Sequence, residues 1–194
     1  MVKVGGSLLD WPSLPGRLTD YLASRQGDRL VLVVGGGRFA DALRDLDATH
    51  SLGEARSHAL ALRVLDLSAW VIVDLVPGLV VVDGVDTLES AWSGGLVPVL
   101  APRRFLDADD RSGVPLPHAW STTTDAIAAR LAQRIGAGEL ALLKSAPLPP
   151  GTDREQAARL GLVDLEFPRA SAKLPVVAYV WLRDPDRGLT PSFL

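Results

Sequence analysis

Met1-Val2-Lys3-Val4-Gly5-Gly6-Ser7 opens the chain, and Arg29-Leu30-Val31-Leu32-Val33-Val34-Gly35-Gly36-Gly37-Arg38 repeats its plan. Each is an apolar, β-branched run closed by glycines. Such runs read as buried strands, and a glycine turn lets the backbone come close to a ligand or to another backbone. A helical pattern follows each turn. A helix start presents free N–H groups and the positive end of a dipole, which suits phosphate. Two such turns predict a phosphate-handling site between two strand ends.

Working outward, strand-like runs fall near 2–4, 29–34, 79–82, 96–100, 139–143 and 175–182. Helix-like segments separate them. This alternation predicts an α/β fold with a mostly parallel sheet covered on both faces. Pro12 to Ser24 reads as a first helix, with Leu14, Leu18, Tyr21 and Leu22 on one side. Arg38 to Asp47 reads as a second, with Phe39, Ala42, Leu43 and Leu46 inward. Gly53 to Trp70 reads as the longest, with Leu60, Val64 and Leu67 on its buried stripe. A short helix or turn is expected over 85–94. Arg103 to Pro117 reads as a polar loop, because it is rich in Asp and Arg and carries Pro115 and Pro117. Ser121-Thr122-Thr123-Thr124-Asp125 then caps a helix to Ile135, with Ile127, Leu131 and Ile135 buried. A proline-rich loop is expected over Ala146 to Thr152.

At 194 residues the chain fits one domain. A net charge of −3 with no long basic block argues against nucleic acid. The longest apolar stretch, Trp70 to Val82, is broken by Asp74, Pro77 and Gly78 and is too short to span a bilayer. No membrane partner is expected. The absence of cysteine excludes disulfides and thiolate metal sites and fits a cytoplasmic protein. His50, His58 and His118 lack metal-ligand spacing, so no protein-held metal is expected, and His58 reads as a packing or hydrogen-bonding residue.

The candidate site residues follow from these turns. Lys3 reads as a cation for a transferring phosphoryl group, with the neighbouring glycine amides holding its oxygens. The plainer alternative is a strand-end lysine before a tight turn. The Thr123-Thr124-Asp125 helix start offers amides to a nucleotide, and Asp125 a carboxylate to nearby lysines; the alternative is a capped helix and nothing more. Lysines are scarce: Lys3, Lys144 and Lys173 stand against seventeen arginines. Two of the three lie at expected carboxyl ends of strands, where ligands bind in open α/β sheets. Trp120, beside the capped helix, is a candidate ligand wall. Gly35, Gly37 and Ala40 also fit a dinucleotide fingerprint, but the acidic residue it needs at the end of the next strand is missing. No Gly-Lys-Ser/Thr of a P-loop follows either cluster.

Four pieces in order, Lys3-Val4-Gly5-Gly6-Ser7-Leu8, Val33-Val34-Gly35-Gly36-Gly37, Thr124-Asp125-Ala126-Ile127-Ala128-Ala129 and Leu143-Lys144, resemble the amino acid kinase superfamily. The resemblance runs from the start to about residue 150. It implies one domain over 1–194 with a three-layer α/β/α open sheet. Residues 1–100 would form the acceptor half and 101–194 the nucleotide half. It implies an ATP-dependent phosphotransferase, with Mg²⁺ held mainly by the nucleotide phosphates. Lys3, Asp125 and Lys144 would be the catalytic set, with Lys3 on the transferring group and Asp125 organising the lysines. Gly5, Gly6 and Ser7 would bind phosphate, and Gly35, Gly36 and Gly37 would face the acceptor. Thr123, Thr124 and Lys144 would contact the nucleotide. A homo-oligomer is expected from family habit and surplus apolar surface.

Among the branches, the chain looks most like the small kinase of methanofuran biosynthesis, which phosphorylates an aminomethyl-furan-methanol phosphate in one-carbon metabolism. His118-Ala119-Trp120-Ser121 and His58-Ala59-Leu60-Ala61 carry that likeness. Asp41, Asp45 and Asp83 are candidates to receive an ammonium group on an acceptor. The usual Asp-Gly-Val after the second lysine is replaced by Ser145-Ala146-Pro147-Leu148-Pro149. A non-catalytic nucleotide- or oxyanion-binding or storage module on the same fold is the alternative, and a Rossmann-type oxidoreductase is a third reading.

Overall fold

Lys3 lies in the middle of a parallel sheet. The computed structural model describes residues 1–111, 113, 115–184 and 188–194. In chain order its elements are β1 (Val2–Val4), α1 (Leu14–Ala23), β2 (Leu32–Val34), α2 (Gly37–His50), α3 (Glu54–Leu75), β3 (Leu79–Val82), α4 (Leu88–Ser93) and β4 (Val97–Leu100). There follow α5 (Pro102–Arg111), α6 (Thr124–Arg134), β5 (Leu140–Lys144), α7 (Arg154–Arg159), α8 (Phe167–Ser171), β6 (Val177–Trp181) and β7 (Ser192–Phe193). The strands line up as β3-β4-β2-β1-β5-β6-β7. Every neighbouring pair is parallel except β6 with β7.

Side chains alternate across a strand, so each strand feeds two core layers. Val2 and Val4, Leu32 and Val34, and Ala141 and Leu143 pack with Leu14, Leu18 and Tyr21 of α1. Val31 and Val33, and Leu140 and Leu142, pack with Ile127, Leu131 and Ala132 of α6 on the opposite face. This is the three-layer arrangement the sequence implies. Among the described residues no helix is long and apolar enough to cross a membrane.

Three local expectations are corrected. The polar loop expected over 103–117 is in its first part the helix α5, whose inward face is Pro102, Phe105, Leu106 and Asp109. Asp109 is buried, and Arg130 Nε approaches one of its carboxylate oxygens to 2.6 Å while Arg134 pairs with the other. The stripe expected on α3 is turned: Leu62, Leu65, Ala69 and Ile72 are buried, whereas Leu60 and Leu67 face out. On α2 only Leu43 is buried, with Phe39 and Leu46 exposed. The segment after Ala146, through the prolines, is irregular as expected; the sequence did not anticipate α7, α8 or β7.

Candidate functional site

The alternation that builds the core also aims the two lysines. Lys3 sits between Val2 and Val4, which both face α1, so its own side chain faces α6. Lys144 is in phase with Leu140 and Leu142, which face α6 as well. Lys3 is in register with Leu142, one same-face step before Lys144. Both ammonium groups therefore reach the first turn of α6, where Asp125 waits. Lys3 Nζ stands 2.9 Å from Oδ1 of Asp125, and Lys144 Nζ donates to Oδ2 at 2.8 Å. Lys144 donates a second bond to the Leu162 carbonyl at 2.7 Å.

These three side chains are almost wholly buried, with relative side-chain exposures of 6% for Lys3, 6% for Asp125 and 12% for Lys144. Burial pushes the Asp125 carboxyl up, but the ammonium groups of Lys144 and Lys3 outweigh it and hold it at about 2. Burial pulls Lys144 down to about 8; Asp125 opposes this shift and the charge of Lys3 adds to it. The cluster gathers two lysines and Asp125 at the carboxyl end of the central strands, with Asp164 near enough to act on Lys144 as well. Fixed cations in a water-poor setting are what the charge on a transferring phosphoryl group needs.

The two glycine turns meet beside this cluster. A Cβ on Gly6 would lie 2.2 Å from the amide nitrogen of Gly37, and one on Gly35 would lie 2.6 Å from that of Gly6. Gly37 has φ +50 and faces the Gly6 carbonyl. Glycine is therefore required because backbone touches backbone, a reason independent of any ligand. On their open side, Gly6, Ser7, Gly35, Gly36 and Gly37 line a cleft of about 460 Å³ with Lys3 at its floor. Gly5 does not line it; a Cβ there would meet the Leu143 carbonyl at 2.9 Å. The start of α2 carries no side-chain cap, and its first residues Gly37 and Arg38 line this space. Asp41, Arg44, His58 and Trp120 form the outer walls. Trp120 is the cleft wall expected of it: its Nε1 donates to Asp47 Oδ2 at 2.9 Å, and Arg44 lies 5.0 Å over its ring. Asp45 does not line the cleft, and Asp83 pairs at 2.9 Å with Arg104 elsewhere on the surface.

Thr123 and Thr124 line this same cleft. Two of the amides expected to be open at the start of α6, those of Thr123 and Ala126, are already bonded. Asp164 Oδ2 accepts from Thr123 N at 3.0 Å, Thr123 Oγ1 at 2.8 Å and Ala126 N at 2.9 Å. Burial, with Asp125 nearby, raises the Asp164 carboxyl to about 6. Sequence reasoning missed this residue, which caps α6 from a distant segment.

It also missed a second cleft, of about 260 Å³, lined by Pro147, Pro149, Pro150, Tyr179, Trp181 and Asp184 among others. It opens past the carboxyl ends of β5 and β6; Lys144 does not line it, but is the register partner of its wall residue Trp181. Tyr179 and Trp181 alternate onto one face of β6 and donate to the carbonyls of Ala146 at 3.0 Å and Ser145 at 3.1 Å. Ser7 and Ser145 hydroxyls meet at 2.8 Å where the turn after β1 faces the loop after β5. The signal for this cleft was the replacement of the usual Asp-Gly-Val by prolines. Among the described residues no group of three or more His, Asp or Glu side chains is placed to hold a metal ion.

Comparison with known proteins gives three kinds of likeness. The model of the amino acid kinase family matches residues 1–148. A (5-(aminomethyl)furan-3-yl)methyl phosphate kinase from Methanocaldococcus jannaschii is 28% identical over 128 residues, covering 66% of this chain and 56% of that protein. The match thus spans a little over half the length of that relative. Among solved structures, a uridylate kinase from Archaeoglobus fulgidus superposes with a TM-score of 0.63 at 19% identity, over 91% of this chain and 88% of that one. A UMP kinase from Bacillus anthracis superposes with a TM-score of 0.65 at 10% identity, over 100% and 97%.

Proposed function

The chain belongs to the amino acid kinase family, and from that premise we propose that it transfers the γ-phosphoryl group of ATP to a small phosphorylated metabolite. The observation that carries the reading is the buried Lys3–Asp125–Lys144 cluster, whose Lys3 lines the larger cleft. The acceptor takes the larger cleft, over the turns after β1 and β2. The nucleotide takes the proline-lined cleft past β5 and β6, with its phosphates reaching toward Lys144. Residues 1–100 supply most of the acceptor half, and 119–124 close it; residues 101–194 supply the nucleotide half.

An oxygen of the acceptor attacks the γ-phosphorus, the bond to the β,γ-bridging oxygen breaks, and ADP leaves. When the acceptor is a phosphate monoester, its attacking oxygen is already ionised and needs no general base. Lys3 and Lys144 stabilise the charge on the group in flight, and Asp125 holds both ammonium groups in place and keeps Lys144 charged. Mg²⁺ would arrive on the nucleotide phosphates. The name of the Methanocaldococcus jannaschii relative supports aminomethyl-furan-methanol phosphate as the first acceptor to test. Exposed Leu60, Leu67 and Trp70 on α3 support a homo-oligomer.

The test is a coupled ADP-release assay with MgATP and a panel of phosphorylated and carboxylated acceptors. Acceptor-dependent release is expected, lost on the order of 10²–10³-fold in Lys3→Ala because one transition-state cation is gone. Release that survives unchanged in Lys3→Ala removes the assigned role. ATP raising the melting temperature without turnover on any acceptor would favour a binding module instead.

A further inference from the structure

A cluster of titratable rings borders the larger cleft without touching its lysines. His58, in the first two turns of α3, lines the cleft. Its ring lies flat on that of His118, with centroids 4.7 Å apart and planes 9° apart. His118 Nε2 is 2.7 Å from Asp110 Oδ2 near the end of α5. The stack therefore ties α3 and α5 to the segment that runs into α6. That segment carries Trp120, which forms a wall of the cleft, and Thr122 and Thr123, which line it.

We propose that the His58–His118 stack positions the Trp120 wall, and that the cleft takes its acceptor only while His58 is uncharged. The proposal rests on reading this cleft as the acceptor site.

Two flat imidazoles attract when at most one carries a proton. His118 has Asp110 beside it; among the described residues no carboxylate is bonded to His58. A second proton would set like charges face to face across 4.7 Å in a partly buried setting. Among the described residues the titratable groups that face His58 are His118, from the segment before α6, and Asp110, from α5. Burial, then the charge of His118, lowers the His58 pKa below its ordinary 6.5, against the opposing pull of Asp110. The ring is thus neutral at neutral pH, and the wall is assembled. Acid charges the second ring, separates the pair and frees the segment from α3. The lost contact is remote from Lys3, so the effect falls on acceptor binding rather than on ATP.

The test compares wild type, His58→Phe and His58→Ala. Phenylalanine keeps a flat ring that cannot charge, and alanine removes the stack. The KM for acceptor and for ATP is measured near about pH 8 and near about pH 5.5, and backbone hydrogen exchange of residues 115–123 is followed in the same three proteins. In wild type the acceptor KM is expected to rise at acid pH by less than the roughly tenfold that an unshifted imidazole would give at about pH 5.5, and further at lower pH, with exchange of 115–123 accelerating beyond its intrinsic pH dependence. His58→Phe, whatever its acceptor KM at the higher pH, should show no acid rise in that KM beyond the acceptor's own titration and no acid loosening of its amides. His58→Ala should show the weak acceptor KM and fast exchange at both, with the ATP KM unmoved. The acceptor's own phosphate titration is common to all three and cancels in the comparison. An acid rise in His58→Phe equal to wild type, or a normal acceptor KM in His58→Ala, overturns the proposal. If no acceptor turns over, the kinase reading fails, and the exchange data still judge the stack. Acid-loosened exchange in wild type that is absent in His58→Phe upholds the positioning role; identical exchange in the two overturns it.

Discussion

Asp125→Asn is the sharpest test of the buried charge cluster. Asparagine keeps the shape of the side chain and removes its charge. Two ammonium groups, within 2.9 and 2.8 Å of the replaced carboxylate, then face one another across a neutral amide. Removing one member of a buried ion pair costs about 3–5 kcal/mol, because the remaining charge is left unpaired. Titration gives a second figure. A carboxyl held at about 2 rather than 3.8 is worth about 2 kcal/mol of folding stability at neutral pH. The expected loss in Asp125→Asn is therefore about 2–5 kcal/mol at pH 7, read from urea unfolding by tryptophan fluorescence. The difference from wild type should shrink on both sides. On the acid side the folded pKa is depressed, so the wild-type stabilisation is present above 3.8 and is lost as pH falls through about 2. On the alkaline side Lys144 discharges above about 8 and takes one attraction with it. The ADP-release rate should fall on the order of 10²–10³-fold at pH 7. A variant within about 0.5 kcal/mol of wild type at pH 7, or a gap that widens above pH 9, would refute this account of the cluster.

Four further outcomes follow from the same geometry. Because Lys144 titrates at about 8, kcat should decline as pH rises through that value, and Lys144→Arg, which stays charged, should move the decline upward; a pH–rate profile decides it. Gly35→Ala places a methyl 2.6 Å from the Gly6 nitrogen and should cost about 1–3 kcal/mol or more in urea unfolding. Gly16→Ala, with nothing within 4 Å in α1, should instead gain about 0.5–1 kcal/mol. Asp164 has a raised folded pKa, so the folded state holds the extra proton between 3.8 and about 6, and this group's contribution to stability falls as pH rises through that window. Asp164→Asn should flatten that slope in unfolding curves taken across pH 4 to 6.

The parallel sheet was legible because its strands are almost wholly apolar and the first two run into glycine. Lys3, Asp125 and Lys144 were legible as a set because each stands at an element end that parallel topology brings to one edge. What stayed hidden has physical causes. Helix α5 was masked by its buried charge: Asp109 occupies a core-facing position, so the apolar period of Phe105 and Leu106 breaks off, and pairing with Arg130 and Arg134 on α6 helps make that burial tolerable. The face of α3 was misjudged because leucines stand on both sides of the helix, and only the sheet decides which side is covered. The Asp164 cap and the His58–His118 stack join residues far apart in sequence, and no local pattern announces either.

The contact between the turns after β1 and β2 also bears on how this fold can change its chemistry. Where a side chain crowds another side chain, a second substitution can relieve the first. Here the collision is between a new Cβ and main-chain atoms of Gly6 or Gly37, which no second substitution can trim away. The floor of the larger cleft is thus closed to gradual diversification. New acceptors must be accommodated by the walls, on α2, α3 and the stretch around Trp120, where side chains alone set the shape. A directed-evolution library for altered acceptor scope belongs at Asp41, Arg44, His58, Ala61 and Trp120, with both glycine turns left untouched.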